Sequence, residues 1–182
     1  MGLVALNDDG TLAGGVHDGD SSIELYDNDD ITGLAKVFTG LDRRVSRAEA
    51  KNNPEAPEVL KSWREPMVVY PAKHAQNEKT FLGLTIPENT NAQDSITLAL
   101  DQLMSVASVG PFLSRQLIQR FTTSNPSPAY ISRVTQVFND GRYTLPNGTA
   151  VGGGLRGDLK ATIAAILLDR ENLEPEVPNT FG

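Results

Sequence analysis

The sequence predicts a mainly α-helical protein with about five amphipathic helices and two short β-hairpins or ribbons. Apolar residues recur at helical spacing in several separate stretches, of which residues 109–140 are the strongest. Residues that cap helices precede several of these stretches. Between them lie short apolar runs bounded by glycine, proline and asparagine, which are typical of brief strands and turns.

Residues 109–140 predict two consecutive helices that pack side by side. Pro111 suits the first turn of the first helix, and Ser127-Pro128 suits the N-cap and first position of the second. The apolar stripe of the first helix contains Phe112, Leu113, Leu117, Ile118 and Phe121, and that of the second contains Tyr130, Ile131, Val134, Val137 and Phe138. Because the linker is short, we expect the two stripes to be hidden against each other or against a third element.

The N-terminal third predicts two short strands, at residues 3–6 and 22–26, followed by a helix and a long loop. Asp27 is placed to cap the helix, with Asp30 in the capping-box position. The expected buried face of that helix contains Ile31, Leu34, Ala35, Phe38 and Leu41. Mixed charges and breakers then predict a long surface loop over residues 42–66, with one helical turn around residues 59–63.

The rest of the sequence predicts short strands, two further helices and a hairpin. Residues 67–70 and 80–86 predict short strands, and Asn91 and Asp94 start a helix. The apolar residues of that helix are Ile96, Leu100, Leu103 and Met104. Asn147-Gly148 predicts a hairpin turn, and residues 158–169 predict a last helix whose core side chains are Leu159, Ile163, Ile166 and Leu167. We therefore expect one helical domain over residues 1–170 and a tail over residues 171–182.

Composition excludes several classes of function. The 182 residues include no cysteine, so disulfides, thiolate metal sites and cysteine nucleophiles are excluded. The net charge is −7, and residues 1–30 contain acids but no lysine or arginine. Such a chain repels phosphates and anionic lipids, so we expect no nucleic-acid partner. No apolar run is long enough to span a bilayer, so we expect no membrane insertion.

His74 is the candidate catalytic residue. It is one of two histidines and lies in a loop with Lys73 and Lys79. An imidazole can act as a general base or a metal ligand, but no second ligand stands at a predictable spacing. The alternative is a hydrogen-bonded loop residue. His17 lies among glycines and aspartates, where we expect it to be solvated.

Gly152-x-Gly154-x-x-Gly157 matches the dinucleotide-binding pattern. That function requires a strand before the glycines and, after the helix, a parallel strand with an acid for the ribose. Only a hairpin arm precedes the glycines, so we interpret them as a flexible loop. The sequence predicts no cofactor.

Four other features have a functional and a structural interpretation. The acids at residues 8–9, 18–20 and 27–30 could bind Ca²⁺, although none fits an EF-hand loop, and turns and helix caps explain most of them. Arg115, Arg120 and Arg133 could form an anion patch or a solvated face. Trp63 is interpreted as a packing anchor or a sugar or partner platform. Ser114 and Ser127 lack the context of a nucleophile elbow.

Several segments, in order, resemble the bacterial family called domain of unknown function 1800. They are residues 26–40 with Phe38-Thr39-Gly40, residues 73–83 with Lys73-His74 and Lys79, residues 110–128 and residues 157–169. The acid that follows the histidine in the family is replaced here by Ala75. The resemblance implies a longer parent protein with a large helical region ahead of this one. It also implies export, to the periplasm or the outside, and it supplies no reaction.

These observations lead to three hypotheses. The preferred one is a non-catalytic structural or interaction module of a larger exported protein, which packs against the N-terminal helical region of the parent or self-associates. The first alternative is part of a hydrolase whose site is completed by the missing N-terminal half, with His74 contributing. The second alternative is a Ca²⁺-stabilised adhesion module. The residues leave open whether the protein is an enzyme, whether it binds a metal and where it is located.

Overall fold

A computed structural model describes residues 4–13 and 23–173 of the chain. Within these residues the fold is mainly α, with eight α-helices and three two-stranded antiparallel ribbons. The predicted fold class is confirmed, because five helices of nine or more residues form the framework. The chain divides into two compact units, called here the central unit (residues 26–103) and the terminal unit (residues 1–25 with 104–182). The single domain over residues 1–170 stays a prediction, and each unit is described by itself.

The central unit is built around a helix and a hairpin. Its elements are α1 (Asn28–Val37), β1 (Leu41–Asp42), α2 (Arg47–Asn52), α3 (Pro57–Ser62), β2 (Val68–Val69), β3 (Lys79–Phe81), β4 (Leu84–Ile86) and most of α4 (Ala92–Ser105). β1 pairs with β2 and β3 pairs with β4, both antiparallel. The core consists of Val37, Phe81, Ile86 and Ala99. The predicted capping box of α1 is confirmed, since Asp27 and Asp30 each accept hydrogen bonds from the backbone of the other.

The prediction of a long loop over residues 42–66 is wrong in part, because this stretch contains α2 and α3. α3 overlaps the single helical turn that was expected around residues 59–63. Ser46 and Glu49 form a reciprocal capping box at the start of α2. Pro57 occupies the first turn of α3, where its missing N–H costs nothing. These local start signals stabilise two helices of six residues each in a stretch that lacks a long apolar period.

The expected buried face of α1 is wrong for Ile31, Ala35 and Phe38, although Leu34 packs against the core, and Gly33 explains the difference. Gly33 and Val37 are the buried residues, whereas Ile31 is 52% exposed and Phe38 is 42% exposed. A Cβ at Gly33 would overlap the carbonyl oxygen of Thr80, so α1 approaches β3 through its smallest residue. The closest packing of the two backbones therefore decides which face is hidden, and the larger apolar side chains remain outside.

α4 likewise turns small residues toward the interior of the unit. Its buried residues are Ala92, Ser95 and Ala99, which recur at helical spacing. The apolar stripe identified from the sequence is less buried, since Leu100 is 50% exposed. Asn91 caps the start of this helix by accepting a hydrogen bond from the backbone N–H of Asp94 at 2.9 Å, as its position in the sequence indicates.

The terminal unit contains the predicted helix pair. Its elements are α5 (Val109–Phe121), α6 (Pro128–Asp140), β5 (Tyr143–Thr144), β6 (Ala150–Val151), α7 (Leu159–Leu167) and α8 (Arg170–Leu173). α5, α6 and α7 pack against one another around a core of Ile118, Tyr130, Ile131, Val134, Ala165 and Ile166. The predicted stripe of α6 is confirmed, and Ser127 caps it by accepting from the backbone N–H of Tyr130.

Other predictions in the terminal unit are confirmed in part. β5 and β6 form the expected hairpin, and Gly148 supplies a positive φ of 84° in its turn. α7 is capped by Asp158, but Leu159 and Leu167 are 54% and 45% exposed while Ala161, Thr162, Ala165 and Ile166 are buried. Val4 pairs with Glu24 and Leu6 pairs with Leu12 in isolated bridges, in place of the strands expected at residues 3–6 and 22–26. α8 occupies the first residues of the predicted tail, and residues 174–182 lie outside the described residues.

Candidate functional site

His74 is buried in the central unit, with 4% of its surface exposed. It follows a 3-10 turn over Pro71–Lys73, and its own N–H donates to the carbonyl oxygen of Pro71 at 3.2 Å. Gly40 lies against it with a positive φ of 77°, and a Cβ there would lie 2.9 Å from the backbone nitrogen of His74. The Phe38-Thr39-Gly40 segment and the His74 loop therefore pack backbone to backbone.

The imidazole joins the end of α1 to the start of α4. Nδ1 lies 3.0 Å from the carbonyl oxygen of Thr39, which can only accept, so Nδ1 carries the proton and donates it. In the neutral imidazole Nε2 is then the acceptor, and the hydroxyl of Ser95 lies 3.5 Å from it. The hydroxyl of Thr39 accepts from the backbone N–H of Ala75 at 2.8 Å. These contacts hold three segments together.

This arrangement differs from that of a general base. Within residues 4–13 and 23–173, no carboxylate is hydrogen-bonded or ion-paired to His74. Ser95 is fully buried, so its hydroxyl is not accessible to a substrate. The same residues contain no group of three or more histidine or acid side chains that could hold a metal ion. The geometry supports the interpretation of His74 as a hydrogen-bonded loop residue, and its participation in a hydrolase stays a prediction.

A cavity of about 270 Å³ opens beside His74. Four carboxamide side chains and three small apolar residues line it together with the histidine, namely Gln76, Asn89, Asn91, Gln93, Val69, Pro71 and Ala92. The side chain of Gln76 donates from Nε2 to the main-chain carbonyl oxygen of His74 at 3.1 Å. The main-chain carbonyl oxygen of Gln76 accepts from the backbone N–H of Asn89 at 2.7 Å. This cavity was not predicted from the sequence, because it combines the loop after His74 with the turn before α4 and the first turn of that helix.

Lys79 is the other unusual residue of the central unit. Its side chain is fully buried in β3, and its Nζ has no hydrogen-bond partner among the described residues. Burial lowers the pKa of the Lys79 ammonium, and repulsion by Lys36 on α1 lowers it further. Buried charges are normally paired, so this amine is an energetic cost to the fold. The sequence placed Lys79 near His74 but could not show its burial.

The glycine-rich segment over residues 152–157 is a folded loop. The backbone N–H of Gly153 donates to the Asp158 carboxylate at 2.7 Å, and Asp158 also caps α7 through Ala161. These N–H donors lower the pKa of Asp158. The guanidinium of Arg156 binds the carbonyl oxygens of Met104 and Val106 and the side chain of Asn139. A carboxylate therefore occupies the position that a phosphate would need, which argues against nucleotide binding.

An ion-pair network in the terminal unit was not found from the sequence. Arg133 donates two hydrogen bonds of 2.7 Å to Asp169, and Glu171 accepts from the N–H and the hydroxyl of Ser127. Burial opposes ionisation of Asp169, but the Arg133 hydrogen bonds and the N–H of Glu171 outweigh it and lower the pKa. The network ties the start of α8 to α6. Arg133 is thus engaged and is not part of an anion patch.

Replacing Asp169 with asparagine is expected to lower the free energy of unfolding by about 1–2 kcal/mol at neutral pH, because Arg133 loses its nearer charged partner and keeps only Glu171, 3.6 Å away. The pKa of Asp169 is lower in the folded than in the unfolded chain. Its contribution is therefore present above the unfolded value and is lost as the pH falls through the folded one. Urea titrations between neutral and acid pH measure this. Glu65→Gln, in an exposed pair with Arg44 and Lys61, is the control and should change stability little. Equal losses in the two variants would contradict the prediction.

The remaining candidates are placed as follows. Trp63 is 64% exposed, so its interpretation as a packing anchor is wrong, and the guanidinium of Arg43 lies 3.8 Å from its ring centroid. Asp9 accepts from the N–H and the hydroxyl of Thr11 in a turn, which lowers its pKa. Arg115 and Arg120 are exposed. His17 and the acids at residues 18–20 lie outside the described residues.

The fold and the site define a mainly α-helical protein with a buried, main-chain-anchored histidine. The family model described as "Protein of unknown function (DUF1800)" matches residues 10–181. The chain belongs to that family, as the resemblance of its segments indicated. Comparisons with curated proteins and with solved structures gave no match. No single helix among the described residues is long and apolar enough to cross a membrane; α4 and α5 reach that length and composition only when taken together.

Proposed function

We propose that this chain is a non-catalytic structural and interaction module of a larger exported protein. One observation carries the proposal: α1 and α4 have glycine, alanine or serine among their buried residues and leave large apolar side chains exposed. α1 buries Gly33, and α4 buries Ala92 and Ala99. Ile31 and Leu100, on the same two helices, are 52% and 50% exposed.

The free energy of burying apolar side chains explains why this exposure is relevant to binding. Fully burying an isoleucine or leucine contributes about 1.5–3 kcal/mol, far more than burying an alanine. Single exposed leucines are ordinary on a protein surface, but on α1 the residues Ile31, Ala35 and Phe38 lie on one face of the helix. A contiguous apolar face of this kind is typical of a contact with another polypeptide.

The proposed occupant of this face is the N-terminal helical region of the parent protein. When that region is absent, a second copy of the chain covers the same surface, because apolar faces associate without strict partner specificity. The hydrolase alternative has less support, since the polar partners of His74 are a main-chain carbonyl and a buried serine. The calcium alternative has less support, since Asp9, Asp27 and Asp30 are engaged in a turn and a helix cap.

Light scattering coupled to size exclusion tests the proposal. The isolated chain is expected to form concentration-dependent oligomers, and Ile31→Lys should weaken association about tenfold or more by burying a charge in place of an apolar side chain. Thr32→Lys adds the same charge at the next position, outside that face, and should leave association unchanged. A wild-type chain that stays monomeric at every concentration and does not bind the helical region of a longer family member would contradict the proposal.

A further inference from the structure

The cavity beside His74 shares no residue with the apolar helix faces, so it is a separate feature of the central unit. Its carboxamides are partly free. Asn91 uses both side-chain atoms on Asp94, at 2.9 and 2.7 Å. The side chains of Asn89 and Gln93 make no hydrogen bond within the described residues, and Gln76 uses only its Nε2. Two complete carboxamides and one amide oxygen therefore remain available to a ligand.

The lining also restricts the charge of that ligand. His74 is the only titratable side chain among the described residues that line the cavity, and its Nδ1 proton is engaged by Thr39. An ionic group would gain no opposite charge from this lining. No aromatic side chain of the described lining offers the flat apolar surface on which a sugar ring stacks. An uncharged ligand with both donors and acceptors fits best.

We infer that this cavity binds an uncharged, extended peptide segment. A side-chain carboxamide presents a donor and an acceptor side by side, which matches the C=O and N–H of a peptide bond. Val69, Pro71 and Ala92 provide apolar contacts for small side chains of that segment. The cavity that binds this peptide segment is thus a second interaction surface, distinct from the exposed apolar face of α1 in the proposed function.

The cavity wall is held in place before any ligand arrives. Asn89 has a positive φ of 60°, and its N–H is bound to the carbonyl oxygen of Gln76. Gln93 lies in the first turn of α4, whose start Asn91 caps. The backbone of this wall therefore needs no rearrangement, which limits the conformational entropy lost on binding.

Titration of the ¹⁵N-labelled full chain with N-acetyl-trialanine methylamide, followed by NMR, tests the inference. Saturable shifts are expected at the side-chain NH₂ groups of Gln76, Asn89 and Gln93. Asn89→Gly, which suits the positive φ, and Gln93→Ala should each weaken the apparent affinity about fivefold, as expected for one lost hydrogen bond. Asn28→Ala removes an exposed carboxamide on α1 and should leave the affinity unchanged.

Glucose and acetate are titrated in parallel, and the backbone spectra report whether each variant is folded. Shifts that grow linearly with peptide and never saturate overturn the inference. An equal or stronger response to glucose overturns it in favour of a hydroxyl-bearing ligand, and a response to acetate overturns the argument from charge. Because the wild-type titration is decisive by itself, the test holds even if one variant fails to fold. Self-association through α1 is measured separately, so failure here leaves the proposed function untouched.

Discussion

Gly33→Ala is expected to lower the free energy of unfolding by about 3 kcal/mol or more. Alanine is the better helix former, so helix propensity alone predicts a small gain. The new Cβ would instead overlap the carbonyl oxygen of Thr80 and lie 2.8 Å from its carbonyl carbon. Backbone atoms on both sides cannot rotate away, so α1 must move off β3 and open the core around Val37 and Phe81. Denaturant unfolding monitored by circular dichroism measures the loss.

Gly153→Ala is the matched control for this substitution. Gly153 has an ordinary φ, and a Cβ there would meet only a carboxylate oxygen of Asp158, at 3.6 Å. The control should change stability by less than about 0.5 kcal/mol. A Gly33→Ala variant as stable as the wild type would show that α1 does not pack on β3 as described.

Lys79→Met is expected to raise the free energy of unfolding by about 1–3 kcal/mol. Methionine has a similar length and fills the same space, but it carries no charge that must be desolvated. Lys79 is fully buried and its Nζ has no partner among the described residues, so no hydrogen bond is lost. Lys51→Met, at an exposed position of α2, is the control and should have little effect.

The pH dependence of stability distinguishes the removal of the buried Lys79 charge from a general gain in packing. The pKa of Lys79 is lower in the folded chain than in the unfolded chain. Between these two values the unfolded chain binds a proton that the folded chain does not, so stability rises with pH across that window. The window opens at the lowered folded pKa and closes near the unfolded one. This rise should be present in the wild type and in Lys51→Met and absent in Lys79→Met. A loss of stability in Lys79→Met would show that the ammonium has a favourable role.

The site around His74 shows what sequence reasoning reached and where it stopped. The residue types and their order singled out His74, and its hydrogen-bonded state was one of the two interpretations. Its partners could not be predicted, because Thr39 is 35 residues away and Ser95 is 21 residues away. The burial of Lys79 and the pairing of Arg133 with Asp169 were missed for the same reason. Contacts between residues distant in sequence have no local signature.

The sequence by itself determined the mainly α class, the α5–α6 pair and the helix starts at Asp27, Asn91 and Ser127, because helix starts depend on residues three or four positions apart. The sequence also predicted the buried stripe of α6, whereas on α1, α4 and α7 only the tertiary structure decided which face is buried. On these three helices the hidden face carries mostly glycine, alanine, serine and threonine, together with Val37 on α1 and Ile166 on α7. Hydrophobicity alone favours the faces with leucine and isoleucine. Close approach of two backbones requires small side chains, and that steric condition is set by a partner that the local sequence does not contain.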